Sequence, residues 1–448
     1  MYPAALLLSL LAALATAHGA ALPRTPRPSS LQLITPRTPD DAPADTRTAL
    51  DRVLDEALNQ QLKAAQALPA HEQAQLRRRA AERAEEQAAD LAKRDPGVST
   101  SPLYNVAGDM SYGIEIAVGT PPQTFWVMAD TGSGDLILWD KNCTDCGSAP
   151  RFDSSKSKTF AASRLSPALH NFAYGSGKGQ GSWVSETVSI GSASVSAYNV
   201  TLVTSGDIAA TAAPPLSGIA GFFLNGHPTA LWKAIADANA WTDKQFGFYL
   251  KRKNSDRTYG SSADGGELSL GGVNTSYMDS DMEYYPADAS AWWRLALHSI
   301  VVGNGTQPAA NISTNNTLTI MDTGATLMSL PFPYAKALYD AIPGSQVAKT
   351  DSSGNPAAWS IPCNTQTPVG FKFAVEYART WYVAPADLTR GQVSANSTQC
   401  VGAIVPGGSQ LGAAFLKNVY SAWKYDPPMI GFAKLKDQYN VNPNGPYV

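Results

Sequence analysis

From residue 95 onward the chain predicts an all-β body made of two like lobes that share a cleft, preceded by a helical N-terminal segment. Three observations carry this expectation: short alternating strand runs between turn residues, a motif that recurs about one domain length later, and a sharp change of composition just before residue 95. The 448 residues are 44% apolar and 16% charged, enough for a large core and for two or three domain-sized units. With 36 Gly and 31 Pro among many Ser, Thr and Val, turns should be frequent and long helices few. A net charge of −3 leaves no basic field for a nucleic acid partner. Residues 1–94 carry 12 Lys and Arg against 11 Asp and Glu, leaving 22 against 26 beyond, so the front is slightly basic and the body slightly acidic.

The N-terminal elements come first. Ala4 to Ala15 is a short apolar run, and Ala15-Thr16-Ala17 offers the small residues at which signal peptidase cuts. The run is too short to span a bilayer, so residues 1–19 are expected to be a signal peptide, although no basic residue follows Met1. Residues 20–48, rich in Pro, Thr and Asp, read as unstructured chain. Ala49 to Lys93 turns to Ala, Leu, Glu, Gln and Arg, which favour helix. Pro69 interrupts it, and beyond that Arg78 with Glu82 and Arg83 with Glu86 stand at helical spacing. Lys93-Arg94, just before Asp95-Pro96-Gly97, resembles the cleavage site of a furin- or kexin-like convertase, which makes 20–94 a propeptide. Arg77-Arg78-Arg79 or Lys93 would then place a base near an acidic cleft and block it at neutral pH.

Seven N-x-Ser/Thr sequons, at Asn142, Asn199, Asn274, Asn304, Asn311, Asn315 and Asn396, suit a glycosylated secretory protein, extracellular or vacuolar. The polar C-terminus carries neither a lipid-anchor tail nor a Lys-Asp-Glu-Leu signal, so no membrane anchor is expected. Four cysteines, Cys143, Cys146, Cys363 and Cys400, allow three pairings in an oxidising compartment. The local one, Cys143 with Cys146 and Cys363 with Cys400, is preferred. A zinc half-site or redox pair at Cys143 and Cys146 is disfavoured, because no second half-site stands at zinc spacing and no helix pattern frames a thioredoxin-like motif.

Within the body, Tyr112 to Val118 and Thr124 to Ala129 alternate about Gly119-Thr-Pro-Pro122 and predict a hairpin. Similar runs occupy Glu267 to Leu270, Leu295 to Val302 and Thr317 to Met321. Helices are expected at Ala230 to Ala240, Pro333 to Ala341 and Ala413 to Tyr420. The repeat is the informative part. Val127-Met-Ala-Asp-Thr-Gly-Ser-Gly134 recurs as Thr319-Ile-Met-Asp-Thr-Gly-Ala-Thr326, an apolar strand ending in Asp-Thr-Gly each time. Two like lobes would each bring one carboxylate, Asp130 and Asp322, to a shared cleft.

Two carboxyls held close cannot both ionise, so they share a proton. One can then activate water while the other protonates a carbonyl oxygen, as peptide hydrolysis requires. Gly132 and Gly324 let backbone approach the carboxylates, and the hydroxyls of Thr131 and Thr323 can bond across the pseudo-twofold. No metal or cofactor is called for.

On these residues the chain resembles the pepsin family of aspartic proteases, most of all its secreted fungal members, from about Tyr112 to Phe432. The resemblance implies a bilobal pepsin-like fold of two β-barrel-like lobes, the first over 95–290 and the second over 291–448. It also implies a monomeric endopeptidase cutting polypeptides at acidic to mildly acidic pH. Phe172-Ala-Tyr-Gly-Ser-Gly177 matches the family's flap, with Tyr174 covering substrate and Gly175 and Ser176 binding its backbone. Ser133 matches a donor to Asp130. Ser217-Gly-Ile-Ala-Gly221, Gly266 to Gly272, Gln410-Leu-Gly412 and Ile430-Gly-Phe432 match further segments, and both cysteine pairs fall where the family has disulfides. Met128, Ile219 and Tyr174 would flank one side of the scissile bond and Ile320 the other, implying apolar residues beside the cut.

Four departures stand out. Ile137 replaces the family's tryptophan, which bonds the flap tyrosine, and Trp139 follows two residues later. Leu-Gly-Asp is Leu411-Gly412-Ala413, and Phe-Asp is Trp423-Lys424. Ala325 stands where many acid-optimum members carry a hydroxyl that donates to the second Asp, so activity is expected to extend to less acidic pH. A catalytically impaired binding or inhibitor protein on the same fold is the competing reading, against which both Asp, both Thr and both Gly speak. A serine hydrolase lacks its Gly-x-Ser-x-Gly and a metalloprotease its His-Glu-x-x-His, and a paired-carboxylate glycosidase would ignore a statine inhibitor.

Overall fold

The computed structural model describes residues 98–439 apart from 144, 164, 166–168, 175–176, 209–215, 225–229, 253–263, 289–291, 304–307 and 374–377. The expected signal peptide, propeptide and Lys93-Arg94 site lie outside the described residues, as do Gly175, Ser176 and Asn304. By its contacts the chain divides into Met1–Arg94 and Asp95–Val448, and the fold below is that of the second unit.

The predicted hairpin forms. Ser111–Val118 and Gln123–Asp130 pair antiparallel, with Gly113 opposite Met128 and Val118 opposite Gln123, and Gly119 turns between them at φ +89°. Gln123–Asp130 starts at the surface and is fully buried over Val127–Asp130, so it delivers the carboxylate at its end to the interior. Leu216–Gly221 then inserts beside it in parallel, with Met128 opposite Ile219 and Asp130 opposite Gly221, and pairs antiparallel with Leu136–Trp139 on its other side. The second half repeats this construction. Ala310–Met321 pairs in parallel with Gln410–Leu411, Ile320 opposite Gln410 and Met321 opposite Leu411, and that short strand pairs antiparallel with Met328–Leu330. Asp130 thus ends, and Asp322 directly follows, a strand flanked by an inserted parallel one. Under this pseudo-twofold, Gln410 occupies the place of Ile219.

Among the described residues the strands form sheets of 14, seven and four. The largest starts at Glu283–Pro286, passes to Met429–Lys434 and Val419–Lys424 of the second half, and runs through Gln245–Leu250, Gly266–Leu270 and Ser99–Val106 of the first. A shared sheet therefore joins the two halves, beyond the cleft that the repeat foreshadows. Across the join Phe246 stands opposite Trp423, their rings stacked at 5.3 Å. Trp232, Phe222, Phe248 and Trp293 pack around them in one apolar core that takes residues from both halves.

The first two expected helices form as Leu231–Ala238 and Phe332–Asp340. Leu231, Trp232, Ile235 and Ala236 make the buried face of the first, and Asn239 Nδ2 closes its end on the Ile235 carbonyl at 2.8 Å. The third is a correction. The expected helix over Ala413 to Tyr420 is a single turn, Ala413–Leu416, and Val419 and Tyr420 begin a strand. Asn418 Nδ2 takes the Ala414 carbonyl at 2.9 Å and ends the turn, and Val419 to Trp423 is buried on both faces of the joining sheet. Both expected disulfides are formed, Cys143–Cys146 and Cys363–Cys400.

Candidate active site

The two Asp-Thr-Gly loops meet with their bonds exchanged about the pseudo-twofold. The Thr131 amide donates to Thr323 Oγ1 at 3.1 Å, and the Thr323 amide to Thr131 Oγ1 at 2.9 Å. Each hydroxyl passes its own proton to the opposite strand, Thr131 to the Met321 carbonyl at 2.8 Å and Thr323 to the Ala129 carbonyl at 2.7 Å. Both threonines are buried, so every polar atom needs such a partner. Four cross-bonds fix one loop against the other.

Within each loop the glycine amide holds the carboxylate: Gly132 N–H donates to Asp130 Oδ1 and Gly324 N–H to Asp322 Oδ1, both at 2.8 Å. Each glycine also makes room for the opposite carboxylate. A methyl on Gly132 would lie 2.4 Å from Asp322 Oδ2, and one on Gly324 2.3 Å from Asp130 Oδ1. The carboxyls are hydrogen-bonded to each other and nearly buried. Burial raises both above the ordinary carboxyl range. For Asp130 this is opposed by the Ser133 hydroxyl, by Asp322 and by the Gly132 amide. For Asp322 burial is reinforced by the Asp130 charge, against the weaker pull of the Gly324 and Ala325 amides, so Asp322 stands well above the ordinary value. Both shifts point upward, so the two carboxyls titrate together as a pair above the ordinary carboxyl range.

Tyr174 ends the strand Leu169–Tyr174 and packs on the small apolar cluster of Met128, Ile137, Trp139 and Ile219. Burial raises its phenol, as do the charges of Asp135 and Asp130, so it stays neutral. Ser133, buried, acts on both Asp130 and Tyr174 without a full hydrogen bond of its own. Ile137 is fully buried in Leu136–Trp139, and the Trp139 indole nitrogen has no hydrogen-bond partner among the described residues. Trp139 therefore does not replace the expected tryptophan as partner of Tyr174, whose hydroxyl lies under the influence of Ser133, Asp130 and Asp135. Met128 and Ile219 are almost wholly buried beneath it, while Ile320 is half-buried on the other strand.

One donor was not foreseen. The side-chain amide of Gln410 donates to Asp322 Oδ2 from the inserted strand. The sequence signal was a polar residue before Leu411-Gly412, at the position where the first half has Ile219. Among the sequons, Asn274 requires a correction. It is buried, with Nδ2 donating to Glu267 Oε1 at 2.7 Å and Oδ1 accepting from the Ser276 amide at 3.1 Å, so the nitrogen a glycan would need is committed to the fold.

With the geometry in hand, comparison with known proteins identifies the class. A family model described as eukaryotic aspartyl protease matches residues 111–435. The chain belongs to that family. It is 32% identical to major aspartyl peptidase 1 of Cryptococcus neoformans var. grubii, over 79% of this chain and 75% of that protein. It is 29% identical to vacuolar protease A of Arthroderma otae over 72% of this chain and 78% of the relative, and 26% identical to cathepsin D of Chionodraco hamatus over 73% and 82%.

Proposed function

We propose that this protein is a secretory aspartic endopeptidase whose working pair is Asp130 and Asp322. The observation that carries the reading is the meeting of two carboxyls across twofold-related, cross-bonded loops, each held by the amide of its own glycine. Asp130, whose charged form Ser133 and the Gly132 amide favour against the larger effect of burial, serves as the base and takes a proton from the attacking water. Asp322 gives its proton to the carbonyl oxygen of the scissile peptide. Tyr174, neutral and apolar on its face, covers the bond and excludes solvent. Met128, Ile219 and Ile320 favour apolar residues beside the cut.

The same reading makes Lys93-Arg94 the point at which a convertase releases the mature chain, with residues 20–94 holding the zymogen inactive. The sequons Asn142, Asn311, Asn315 and Asn396 are exposed and suit glycosylation in the secretory pathway, whether the destination is extracellular or vacuolar. Asn199 is half-buried and accepts from Ser163 Oγ at 2.6 Å, which makes it a weaker acceptor. No helix among the described residues is long and apolar enough to cross a membrane.

The test is hydrolysis of a denatured protein between pH 2 and 7 by the processed chain, with and without pepstatin. Cleavage should be blocked by pepstatin and fall by at least about 10³-fold in Asp130→Asn and in Asp322→Asn. Persistent cleavage in either variant would reject the pair. Ala325→Ser adds a donor beside Asp322, stabilising its charged form, and should move the alkaline limb of the pH–rate profile toward acid by about half a unit or more. An unmoved limb would remove Ala325 as a determinant of the pH range.

A further inference from the structure

We propose that Gln410 is a positioning residue for the reaction: its side-chain amide holds Asp322 and, against Ser133 on the other side, sets how the two carboxyls share their proton. This rests on the reading of Asp130 and Asp322 as the working pair.

The argument starts from the broken symmetry of the two halves. Met128 faces Ile219 in the first inserted pair, and Ile320 faces Gln410 in the second. Where one half closes with a buried apolar side chain, the other places an amide, and that amide is spent on a catalytic carboxylate. The loops differ in the opposite sense. Ser133 follows Asp130-Thr-Gly, whereas Ala325 follows Asp322-Thr-Gly and offers no side-chain donor. Asp130 thus has a hydroxyl acting on it from its own loop, and Asp322 an amide donor from the neighbouring strand. A hydrogen bond to a carboxylate is stronger than one between neutral groups, and it favours the charged form. Asp322 Oδ1 already takes the Gly324 amide, so Gln410 fixes the second oxygen, the one closest to Gly132. With both oxygens held, the carboxyl cannot rotate away from its partner.

Among the described residues, other charged and polar groups stand around this pair, and His170 lies 3.6 Å from Asp135. Asp130 faces Asp322 from the opposite loop. Arg294, opposite Ile320 on the next strand, is bound to Asp288. Tyr174 and Asp135 act on the Asp130 side. Ser329, opposite Gln410, is neutral, as are Thr319 and Ser409, whose hydroxyls bond each other at 2.7 Å.

The experiment measures kcat and kcat/KM on one peptide substrate from pH 2 to 7 for the processed enzyme, Gln410→Met and Gln410→Glu. Gln410→Met removes the donor at similar volume, so the pair holds its last proton more tightly. The alkaline limb should rise by about one pH unit, with a several-fold lower kcat at the plateau and a smaller change in KM. Gln410→Glu adds a third carboxylate and should raise the limb further. The order wild type, Met, Glu is the signature of a charge effect. Superimposable profiles, or an equal loss of rate at every pH together with lowered thermal stability, would reduce Gln410 to packing and overturn the proposal. Where the methionine variant does not fold, Gln410→Asn, one methylene too short to reach, gives the same shift or refutes it. Asp322→Asn separates the two readings. If it stays active, the assignment of the pair fails; if it is dead while the Gln410 profiles coincide with wild type, only the role of Gln410 fails.

Discussion

Replacing Gly324 with alanine is expected to lower kcat at least about a hundredfold, with little loss of folded structure. The new methyl would lie 2.3 Å from Asp130 Oδ1 and 2.5 Å from its Cγ, distances no carbon can hold. Neither neighbour yields easily. The loop is pinned by the exchanged threonine bonds, and Asp130 by the Gly132 amide. The carboxylate therefore has to swing away from Asp322, and the shared proton is lost with the geometry. Gly132→Ala does the same from the other side, at 2.4 Å from Asp322 Oδ2. Gly407→Ala is the control, because nothing lies within 4 Å of a methyl there. Steady-state kinetics with circular dichroism on the three variants decide the matter. A Gly324→Ala enzyme within threefold of wild type, or a Gly407→Ala enzyme equally damaged, would sink the steric argument.

This glycine was legible from sequence because its whole logic is local. Strand, Asp, Thr and Gly are contiguous, and the motif occurs twice, so one copy explains the other. Cross-bonding threonines and opposed carboxylates follow once two copies are folded face to face. What escaped the sequence is what depends on a single residue brought from far along the chain. Gln410 reaches Asp322 across 88 positions, and no periodicity announces it. The expected helix over Ala413 to Tyr420 extends into Val419 and Tyr420 because Ala413-Ala-Phe-Leu416 favours helix. Only the burial of the strand Val419–Lys424 on both faces of the joining sheet shows why Val419 and Tyr420 leave it. The same sheet hid the degree to which the halves are fused, since nothing in the lone runs Gln245–Leu250 and Val419–Lys424 says that they pair. The altered setting of Tyr174 was visible as a departure at Ile137. Its resolution needed the position of Ser133.

A second long-range cluster, near the joining strands, predicts how the protein withstands acid. Asp387 is buried and takes Arg252 Nε at 3.0 Å on one oxygen and Lys417 Nζ at 2.9 Å on the other. Lys417 also bonds Asp109 at 2.9 Å, and Asp109 is held by Asn105, so residues 105, 109, 252, 387 and 417 form one network spanning both halves. Burial alone would raise the Asp387 carboxyl, but the charges of Arg252 and Lys417 and their hydrogen bonds outweigh it, and the net shift is downward. A carboxyl lowered in the folded state contributes stability that is complete above its unfolded value of about 4, and that fades only as pH falls through the lower folded value. On the proposed acidic working range this order matters, because ordinary surface carboxylates neutralise first. Asp387→Ala leaves Arg252 and Lys417 buried without their shared partner and should cost about 3–5 kcal/mol at pH 6. The difference from wild type should narrow at the acid end, as the native Asp387 itself takes up a proton. Urea unfolding of both proteins at pH 6, 4 and 2 reads this directly. A loss below about 1 kcal/mol at pH 6, or one that grows toward pH 2, would show that the network does not hold the halves together in the way its charges imply.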